Sequence, residues 1–388
     1  MSRLAVLVTH PVQYFKPVYQ ALAATPGLEL QVFYGCPHGL SASLDPDFGL
    51  AFAWDSAPSD GVPHQFVCQG PLGQLSRARR ALPLAWRASQ IIRNWRPDAV
   101  LIYAYSPLFI TASTLLLAGA GLPLLLRADG TDRAFPRSAW KNTLKDLLLR
   151  RYYRQFAQVF PIGSDSNDHF ARLGVPEQRR RQVAFAVDVN YFAEQRQHWL
   201  PNRAQIRQEL DIPSGAEVLL SVGKMTAVKA PLLLAQALAL LPQQRREQLW
   251  LIAVGDGPLR QSYGEAMEQQ LPGRCRFVGF QNQSQLGRYY SCADTLVFPS
   301  VQGETWGLVV NEALQFGLRV IASDHVGCAR DLLTTAPNLI FPSGSAQGLA
   351  DALAMPWHGP ASVPHLPQPE DLALAVGEWL SSQSGKRR

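Results

Sequence analysis

Cysteine is scarce in this chain of 388 residues. The five cysteines are scattered, and because no two of them form a C-x-x-C pair, the spacing of a structural zinc site is excluded. An odd number of scattered cysteines is expected in a reducing compartment, where thiols serve as small buried hydrophobic side chains. The cysteines are Cys36, Cys68, Cys275, Cys292 and Cys328.

We also expect neither a leader peptide nor an unbroken apolar span. Leu4–Val8 is too short for the core of a signal peptide, and no small-residue cleavage site follows it, so we expect a cytoplasmic protein. Ala99–Leu126 carries no charge and is long enough for a membrane helix, but proline and glycine residues divide it. We therefore predict a buried βαβ unit with a strand at 99–105, a helix at 108–118 and a strand at 122–127.

Acidic residues are missing from Gly61 to Pro97, where six arginines alternate with leucine, isoleucine and tryptophan. The net charge of +6 lies wholly in residues 1–195, which hold 20 Lys and Arg against 14 Asp and Glu. A basic amphipathic segment can contact an anionic membrane, here the inner face of the cell membrane. The alternative is a solvated surface helix whose arginine stems cover apolar surface. Because RNA motifs, zinc fingers and recognition helices are not found in the sequence, we do not expect nucleic acid as a partner.

Strands and helices alternate through both halves of the chain, which predicts the α/β class. We predict two Rossmann-like, doubly wound domains that face a central cleft, at residues 1–195 and 196–388, with the boundary in the polar stretch around Asn190–Arg203. A long polar loop is expected from Gly35 to Gln65. In the tail, a proline-rich loop at 356–369 precedes a short helix at 371–380, which is free to pack back on either domain, the N-terminal one included.

The segment from Gly303 to Leu314 contains two carboxylates, Glu304 in a loop and Glu312 inside the following helix. Carboxylates suit sugar recognition because they accept strong hydrogen bonds from hydroxyl groups. The loop–helix junction at Trp306, Gly307 and Leu308 offers backbone N–H groups to a phosphate. Taken alone, the pattern is equally compatible with a surface helix that carries ordinary solvated glutamates.

Two lysines follow a predicted strand in the second half. Gly223 and Lys224 end that strand, and Lys229 precedes the next helix, so both ammonium groups fit a diphosphate leaving group. A second strand ends in Gly255-Asp256-Gly257, a tight turn that indicates either ligand contact or turn chemistry alone.

These segments, in this order, resemble the donor domain of glycosyltransferase family 4, the retaining enzymes of GT-B fold. The resemblance covers roughly residues 215–335 and includes Phe277–Phe280, Ala293-Asp294, Phe298–Ser300, and Gly327 with Asp331. Softer similarity to the acceptor half of a bacterial subgroup lies in Thr9–Phe15, Asp47–Gly49 and Trp54-Asp55. The chain departs from the family where Lys224 replaces Arg, Ala230 replaces Gly, and Val326-Gly327 replaces a Gly-Gly pair, and Lys lacks the bidentate fork of Arg.

The resemblance implies that Glu304 contacts the donor sugar near the reacting carbon and that Glu312 binds the ribose. It implies that Lys224 and Lys229 hold the diphosphate and that Val278 lies beside the base. It further implies that no metal or other bound cofactor is required, because lysines and helix dipoles neutralise the phosphates. The expected donor-binding positions are Glu312, Gly223, Gly257, Val278, Trp306, Gly307 and Leu308.

The acceptor half offers fewer candidates. His10 ends the first strand at the predicted cleft and is either an acceptor-binding or a structural histidine. Asp129 and Asp132 follow a buried strand, where they suit an acceptor hydroxyl or a simple turn. Tyr105, at the end of the neighbouring strand, is a further candidate for the cleft. Six further histidines have no ligand spacing: His38, His64, His169, His325, His358 and His365. The expected catalytic set is Glu304, Lys229, Lys224, His10 and Asp129.

The sequence thus predicts a retaining hexosyltransferase that uses a nucleoside diphosphate sugar, a UDP- or GDP-sugar, as donor. The expected acceptor is a glycan or lipid-linked sugar hydroxyl in bacterial surface polysaccharide synthesis. Two alternatives stay open: a sugar-nucleotide epimerase of the same architecture, and a non-catalytic sugar-nucleotide-binding protein.

Overall fold

The first half of the chain is built on a parallel sheet whose strands are short apolar runs. The structure is a computed structural model, and it describes residues 1–40, 43–45, 50–52, 59–133, 139–355, 357, 359 and 363–386. Six strands form the first sheet in the order β5-β2-β1-β6-β7-β8. The strands of this half are β1 (Ser2–Val8), β2 (Leu28–Tyr34), β3 (Ser43–Asp45), β4 (Leu50–Phe52), β5 (His64–Phe66), β6 (Ala99–Tyr103), β7 (Leu124–Ala128) and β8 (Gln158–Pro161).

Helices cover both faces of this sheet, as parallel strands require. One face carries α2, α3 and α4, whose inner side chains share a core cluster with Val100 and Ile102 of β6. The other face carries α1, against which the C-terminal helix α15 (Glu370–Lys386) packs. The helices of this half are α1 (Lys16–Ala24), α2 (Ala78–Trp95), α3 (Leu108–Gly119), α4 (Ala139–Tyr153) and α5 (Gly163–Arg172).

A second parallel sheet repeats the arrangement, with the strand order β11-β10-β9-β12-β13-β14. Its strands are β9 (Glu217–Val222), β10 (Leu249–Val254), β11 (Cys275–Gly279), β12 (Thr295–Phe298), β13 (Arg319–Ser323) and β14 (Leu339–Phe341). The remaining helices are α6 (Val189–Trp199), α7 (Arg203–Glu209), α8 (Leu232–Ala239), α9 (Gln243–Glu247), α10 (Arg260–Gln270), α11 (Gln283–Cys292), α12 (Leu308–Gln315), α13 (Ala329–Leu332), α14 (Ala346–Ala354) and α15 (Glu370–Lys386).

The predicted fold class is confirmed, and several elements differ from the expectation. The loop 35–65 contains the antiparallel β3–β4 pair and the edge strand β5. The stretch around 190–203 is helical, because Phe192 and Ile206 bury into the core of the second domain. Helix α6 therefore spans the predicted domain boundary, which itself stays a prediction.

The charge-free stretch 99–126 forms the predicted βαβ unit, with β6 and β7 paired in parallel. In the part of the chain that the structure describes, no helix combines the length and the apolarity needed to cross a bilayer. In the tail, α15 is longer than predicted and packs on the N-terminal domain through Leu372 and Val376.

The two domains meet at the carboxyl ends of their strands. Thr305 follows β12 and donates a hydrogen bond of 2.7 Å to Asp129, which follows β7. Gly163 follows β8 and has φ +80°, and a Cβ there would lie 2.4 Å from the Trp306 ring. The absent side chain lets the indole ring pack on the backbone of the other domain. The predicted cleft is thus the place where ligands of open α/β sheets bind.

Candidate functional site

Lys229 and Glu304 form an ion pair at the cleft edge of the second domain. Their side chains are 30% and 13% exposed, so water screens the pair only in part. The ammonium group of Lys229 also lies 5.1 Å from the centre of the Phe298 ring. The structure therefore brings together two residues that are 75 positions apart in the chain. Lys224 lies two residues after the end of β9 and is half-buried.

Glycines shape the backbone beneath this pair. Gly257 has φ +150°, and a Cβ there would lie 2.7 Å from the Met225 carbonyl oxygen, so a side chain is excluded. Gly223 has φ +136°, and Gly255 lies so close that its own Cβ would clash with the Gly223 carbonyl. Both turns therefore need glycine for structural reasons, whatever ligand they contact. Ala230 has φ +47°, a left-handed conformation that accounts for glycine at this position in the family.

The loop after Glu304 leads into α12. Gly307 precedes the helix with φ +99°, and Leu308 begins it. The Trp306 side chain is buried at the domain contact, where its indole N–H donates to Asn311 over 2.9 Å. Asn311 in turn donates to the Phe185 carbonyl of the interdomain segment. Trp306 thus holds the loop against the first domain, and its predicted role in donor binding stays a prediction.

Glu312 is fully buried inside α12. The Tyr290 hydroxyl donates to its carboxylate over 2.7 Å. Burial raises the pKa of Glu312 to about 7, and hydrogen bonds from Tyr290 and from Tyr14 of the first domain oppose part of this rise. The carboxylate expected to bind ribose is therefore covered by a tyrosine from the opposite domain.

On the acceptor side, Asp129 lies beside the Glu304 loop because Thr305 donates to it. Asp129 lines a cavity of about 400 Å³. Tyr105, Asp132, Lys145, His169 and Thr305 contribute to the same cavity wall. The cavity therefore joins the carboxyl ends of β6 and β7 to the loop after β12.

His169 and Arg172 form a part of this wall that the sequence did not single out. The His169 ring and Asp132 are 2.7 Å apart, and Arg172 donates to both Asp132 and Asp146. Burial lowers the pKa of His169, and the adjacent Asp132 carboxylate opposes this change. The position of both residues on the helix after β8 is the signal that would have placed them at the cleft.

Two other predicted residues, His10 and Val278, make contacts within their own domains. His10 hydrogen-bonds Thr9 and stacks edge-on with His38 at 5.2 Å between ring centres. Burial and the proximity of His38 lower the pKa of His10 to about 4, so its imidazole is neutral at pH 7. Val278 is half-buried in β11, and its carbonyl accepts from Gln281 over 2.9 Å. Asp47–Gly49 and Trp54-Asp55 lie outside the described residues.

Asp331 joins the two domains. Its carboxylate accepts from the Ser164 backbone N–H at 3.0 Å, the Ser164 hydroxyl at 2.7 Å and the Gln182 amide at 2.9 Å. These donors belong to the first turn of α5 and to the segment between the domains. A carboxylate is favoured at a helix N-terminus, so Asp331 caps α5 from the opposite domain.

Asp331→Ala is expected to lower the free energy of unfolding by about 1.5–3 kcal/mol, because charge-assisted hydrogen bonds are lost. It should also widen the cleft, seen as a larger radius of gyration in X-ray scattering. Asp351→Ala is the matched control, since it removes only an exposed hydrogen bond with Gln347 within α14, worth about 0.2–0.5 kcal/mol. Equal behaviour of the two variants would show that Asp331 does not hold the domains together.

The two facing parallel sheets, with the interdomain cleft between them, define an α/β protein of GT-B architecture. The family model described as "Glycosyl transferases group 1" matches residues 202–360, and the model described as "Glycosyl transferase 4-like domain" matches residues 11–186. The two models thus match most of each half of the chain to domains of glycosyl transferases, as the resemblance implied.

Curated relatives share this assignment. A lipopolysaccharide 1,2-N-acetylglucosaminetransferase from Salmonella typhimurium is 31% identical over 183 residues, which are 43% of this chain and 47% of that protein. A D-inositol 3-phosphate glycosyltransferase from Kineococcus radiotolerans is 32% identical over 188 residues, 45% of this chain and 40% of that protein. The chain thus spans less than half the length of these curated relatives.

The chain also has the same overall fold as a protein of known structure. Anabaena HepE, in complex with UDP and glucose, superposes with a TM-score of 0.65 at 18% identity. The superposition covers 98% of this chain and 100% of HepE. At this identity the similarity establishes the shared architecture of the two proteins.

Within the described residues, no cluster of three or more His, Cys, Asp or Glu side chains is placed to hold a metal ion. The expectation that catalysis needs no metal stays a prediction.

Proposed function

We propose that the protein is a retaining hexosyltransferase that moves a hexosyl group from a nucleoside diphosphate sugar to a glycan or lipid-linked sugar hydroxyl. The observation that carries the proposal is the Lys229–Glu304 ion pair, linked through Thr305 to Asp129 across the cleft. The family assignment and the lipopolysaccharide relative support a role in surface polysaccharide synthesis. The UDP bound by HepE supports a UDP-sugar as donor, with GDP-sugars as the second candidate.

Different residues would bind the diphosphate, the sugar and the ribose of the donor. Lys229, together with Lys224 and the N-terminal backbone of α12 at Gly307 and Leu308, would neutralise the diphosphate. Glu304 would accept hydrogen bonds from the donor sugar. Glu312 would accept them from the ribose once Tyr14 has withdrawn, which requires the domains to open. Reclosure would then exclude water and suppress donor hydrolysis.

The cavity at Asp129 is proposed as the acceptor site. The acceptor hydroxyl oxygen would attack the anomeric carbon from the face that the phosphate leaves. The bond from that carbon to the phosphate oxygen breaks, and the leaving phosphate takes the proton of the hydroxyl. Lys229 stabilises the charge that develops on the phosphate, and Asp129 orients the acceptor. His10 is neutral at pH 7 and suits a hydrogen bond to an acceptor hydroxyl.

The epimerase alternative is not favoured, because the matched family models and the curated relatives describe glycosyl transferases. An epimerase also needs acids and bases around the sugar but no acceptor. The non-catalytic alternative would be supported if the protein bound nucleotide sugars without transfer.

Thermal unfolding with a panel of UDP-, GDP-, ADP- and TDP-sugars tests the donor site. A ligand at ~100 times its dissociation constant adds about 2.7 kcal/mol to the free energy of unfolding, which raises the melting temperature. We expect one nucleotide class to stabilise the wild type and not Lys229→Ala. Lys145→Ala is the matched lysine control on the acceptor side and should still respond to the donor. No stabilisation by any donor, or an equal response of Lys229→Ala, would contradict the assignment.

A further inference from the structure

Among the described residues, eight of the sixteen exposed large apolar side chains lie on three helices of the first domain. Helices α2, α3 and α4 lie side by side on one face of the first sheet, with α2 packed on α3. The Thr114 hydroxyl of α3 and the Tyr152 hydroxyl of α4 are 2.9 Å apart. We call their outward side the leucine–arginine face, and its exposed apolar residues are Leu82, Trp86, Leu108, Leu115, Leu116, Leu144, Leu147 and Leu148.

Helix α4 is apolar on two opposite sides. Its inner side buries Leu149, Tyr152 and Tyr153 in the domain core. Its outer side presents Leu147 and Leu148, which are 66% and 62% exposed. A surface helix normally has one apolar stripe, directed to the core. A second stripe of leucines, continued on α3 and by Trp86 on α2, indicates a surface that contacts something other than water.

Exposed basic side chains lie on the same helices as these apolar residues. The α2 sequence contains four arginines after its first residue and no acid, and the α3 sequence contains no charged residue. The one acid of α4, Asp146, is paired with Arg172. The exposed arginines of α2 and α4 are Arg79, Arg80, Arg87, Arg93, Arg150 and Arg151.

We infer that the leucine–arginine face docks on an anionic lipid bilayer. Arginines at the rim suit lipid phosphates, while leucines and a tryptophan suit the boundary between head groups and acyl chains. An excess of one charge sign across neighbouring helices favours this partner over a second copy of the chain, because two copies would bring arginines against arginines.

The position of α4 connects this surface with the cleft. Lys145 and Leu149 of α4 line the cavity at Asp129, one turn from the exposed leucines. Docking would therefore place the proposed acceptor site beside the membrane, where the sugar of a lipid-linked acceptor can enter while its lipid stays in the bilayer. This part of the inference rests on the proposed function, whereas docking itself does not.

Vesicle sedimentation of the full chain tests the inference without donor or acceptor. We expect binding to vesicles of phosphatidylglycerol and phosphatidylcholine in equal parts, and little binding to phosphatidylcholine alone. The triple variant Leu144→Gln/Leu147→Gln/Leu148→Gln should weaken partitioning at least about tenfold, since three apolar side chains no longer enter the bilayer. Arg79→Gln and Arg87→Gln should each weaken it about fivefold at low salt.

The matched control is Leu240→Gln/Leu374→Gln, which alters leucines of 52% and 59% exposure that lie outside the face. This variant should bind vesicles like the wild type. Wild-type binding by the leucine triple variant, or equal binding to both vesicle types, would overturn the inference. So would light scattering that shows a dimer dissociated by the triple variant. Stabilisation of the protein by nucleotide sugars, measured on the same preparations, tests the proposed function separately. Membrane docking and the proposed function can therefore fail independently of each other.

Discussion

Lys229→Ala is expected to reduce the rate of hexosyl transfer by about 10²–10³-fold, the loss typical when one preorganised charge-stabilising group is removed. In the free protein, Lys229 is paired with Glu304 at a site that is mostly shielded from water. In the reaction it would face the phosphate on which negative charge develops. Its loss removes that stabilisation in the transition state, so kcat should fall more than KM rises. Initial rates of nucleoside diphosphate release, measured over a range of donor concentrations, give both constants.

Two further variants separate catalysis from folding. Lys229→Ala leaves the Glu304 carboxylate unpaired, which lowers stability as well as activity. Lys229→Ala/Glu304→Gln removes both charges and should recover the melting temperature without recovering the rate. Lys229→Arg keeps the charge and should retain part of the activity. If the transfer rate of Lys229→Ala lay within threefold of the wild-type rate, the proposed role of Lys229 in the mechanism would be wrong.

Glu312→Gln is expected to raise the free energy of unfolding at pH 8 by up to about 3 kcal/mol. Burial holds the pKa of Glu312 near 7, against an ordinary value of 4.5. Between these values the folded protein keeps a proton that the unfolded chain releases, so wild-type stability falls as pH rises from about 4.5 to 7. Below this window the carboxyl is protonated in both states, and the variant should match the wild type.

Urea unfolding of both proteins at intervals from pH 4 to 8 measures this difference. Glu194→Gln, at an exposed position of α6, is the control and should stay within about 0.5 kcal/mol of the wild type at each pH. A Glu312→Gln variant that is less stable than the wild type at pH 8 would show that the buried carboxylate is satisfied by its tyrosine partners.

The bounds of three buried parallel strands are predicted to the residue from the apolar runs at 28–34, 249–254 and 295–298, whereas β6 ends at Tyr103, two residues before the predicted end. The bounds of β2, β10 and β12 agree with the sequence, because each is a continuous apolar run between turn residues. Strands of three residues, such as β3 and β4, are too short for a periodic signal. Helix α6 was missed because its surface is polar and only Phe192 is fully buried.

The candidate site could be predicted in part. The resemblance implied that Lys229 and Glu304 each contact the donor, and the structure places the two side chains in contact with each other. Both follow strands of one parallel sheet, whose carboxyl ends meet at the same edge. The burial of Glu312 under Tyr14 and the capping of α5 by Asp331 depend on how the two domains meet. No local sequence pattern predicts how the domains meet. The exposure of the outer leucines of α4 likewise depends on how this helix packs on the sheet.

Proton NMR of a reaction with donor and acceptor tests the central claim most directly. We expect the anomeric signal of the nucleoside diphosphate sugar to fall while a new anomeric signal of the same configuration grows, and only when an acceptor is present. Lys229→Ala should slow both changes together. Conversion of the donor without an acceptor, or an inverted anomeric configuration in the product, would contradict retaining transfer in this cleft.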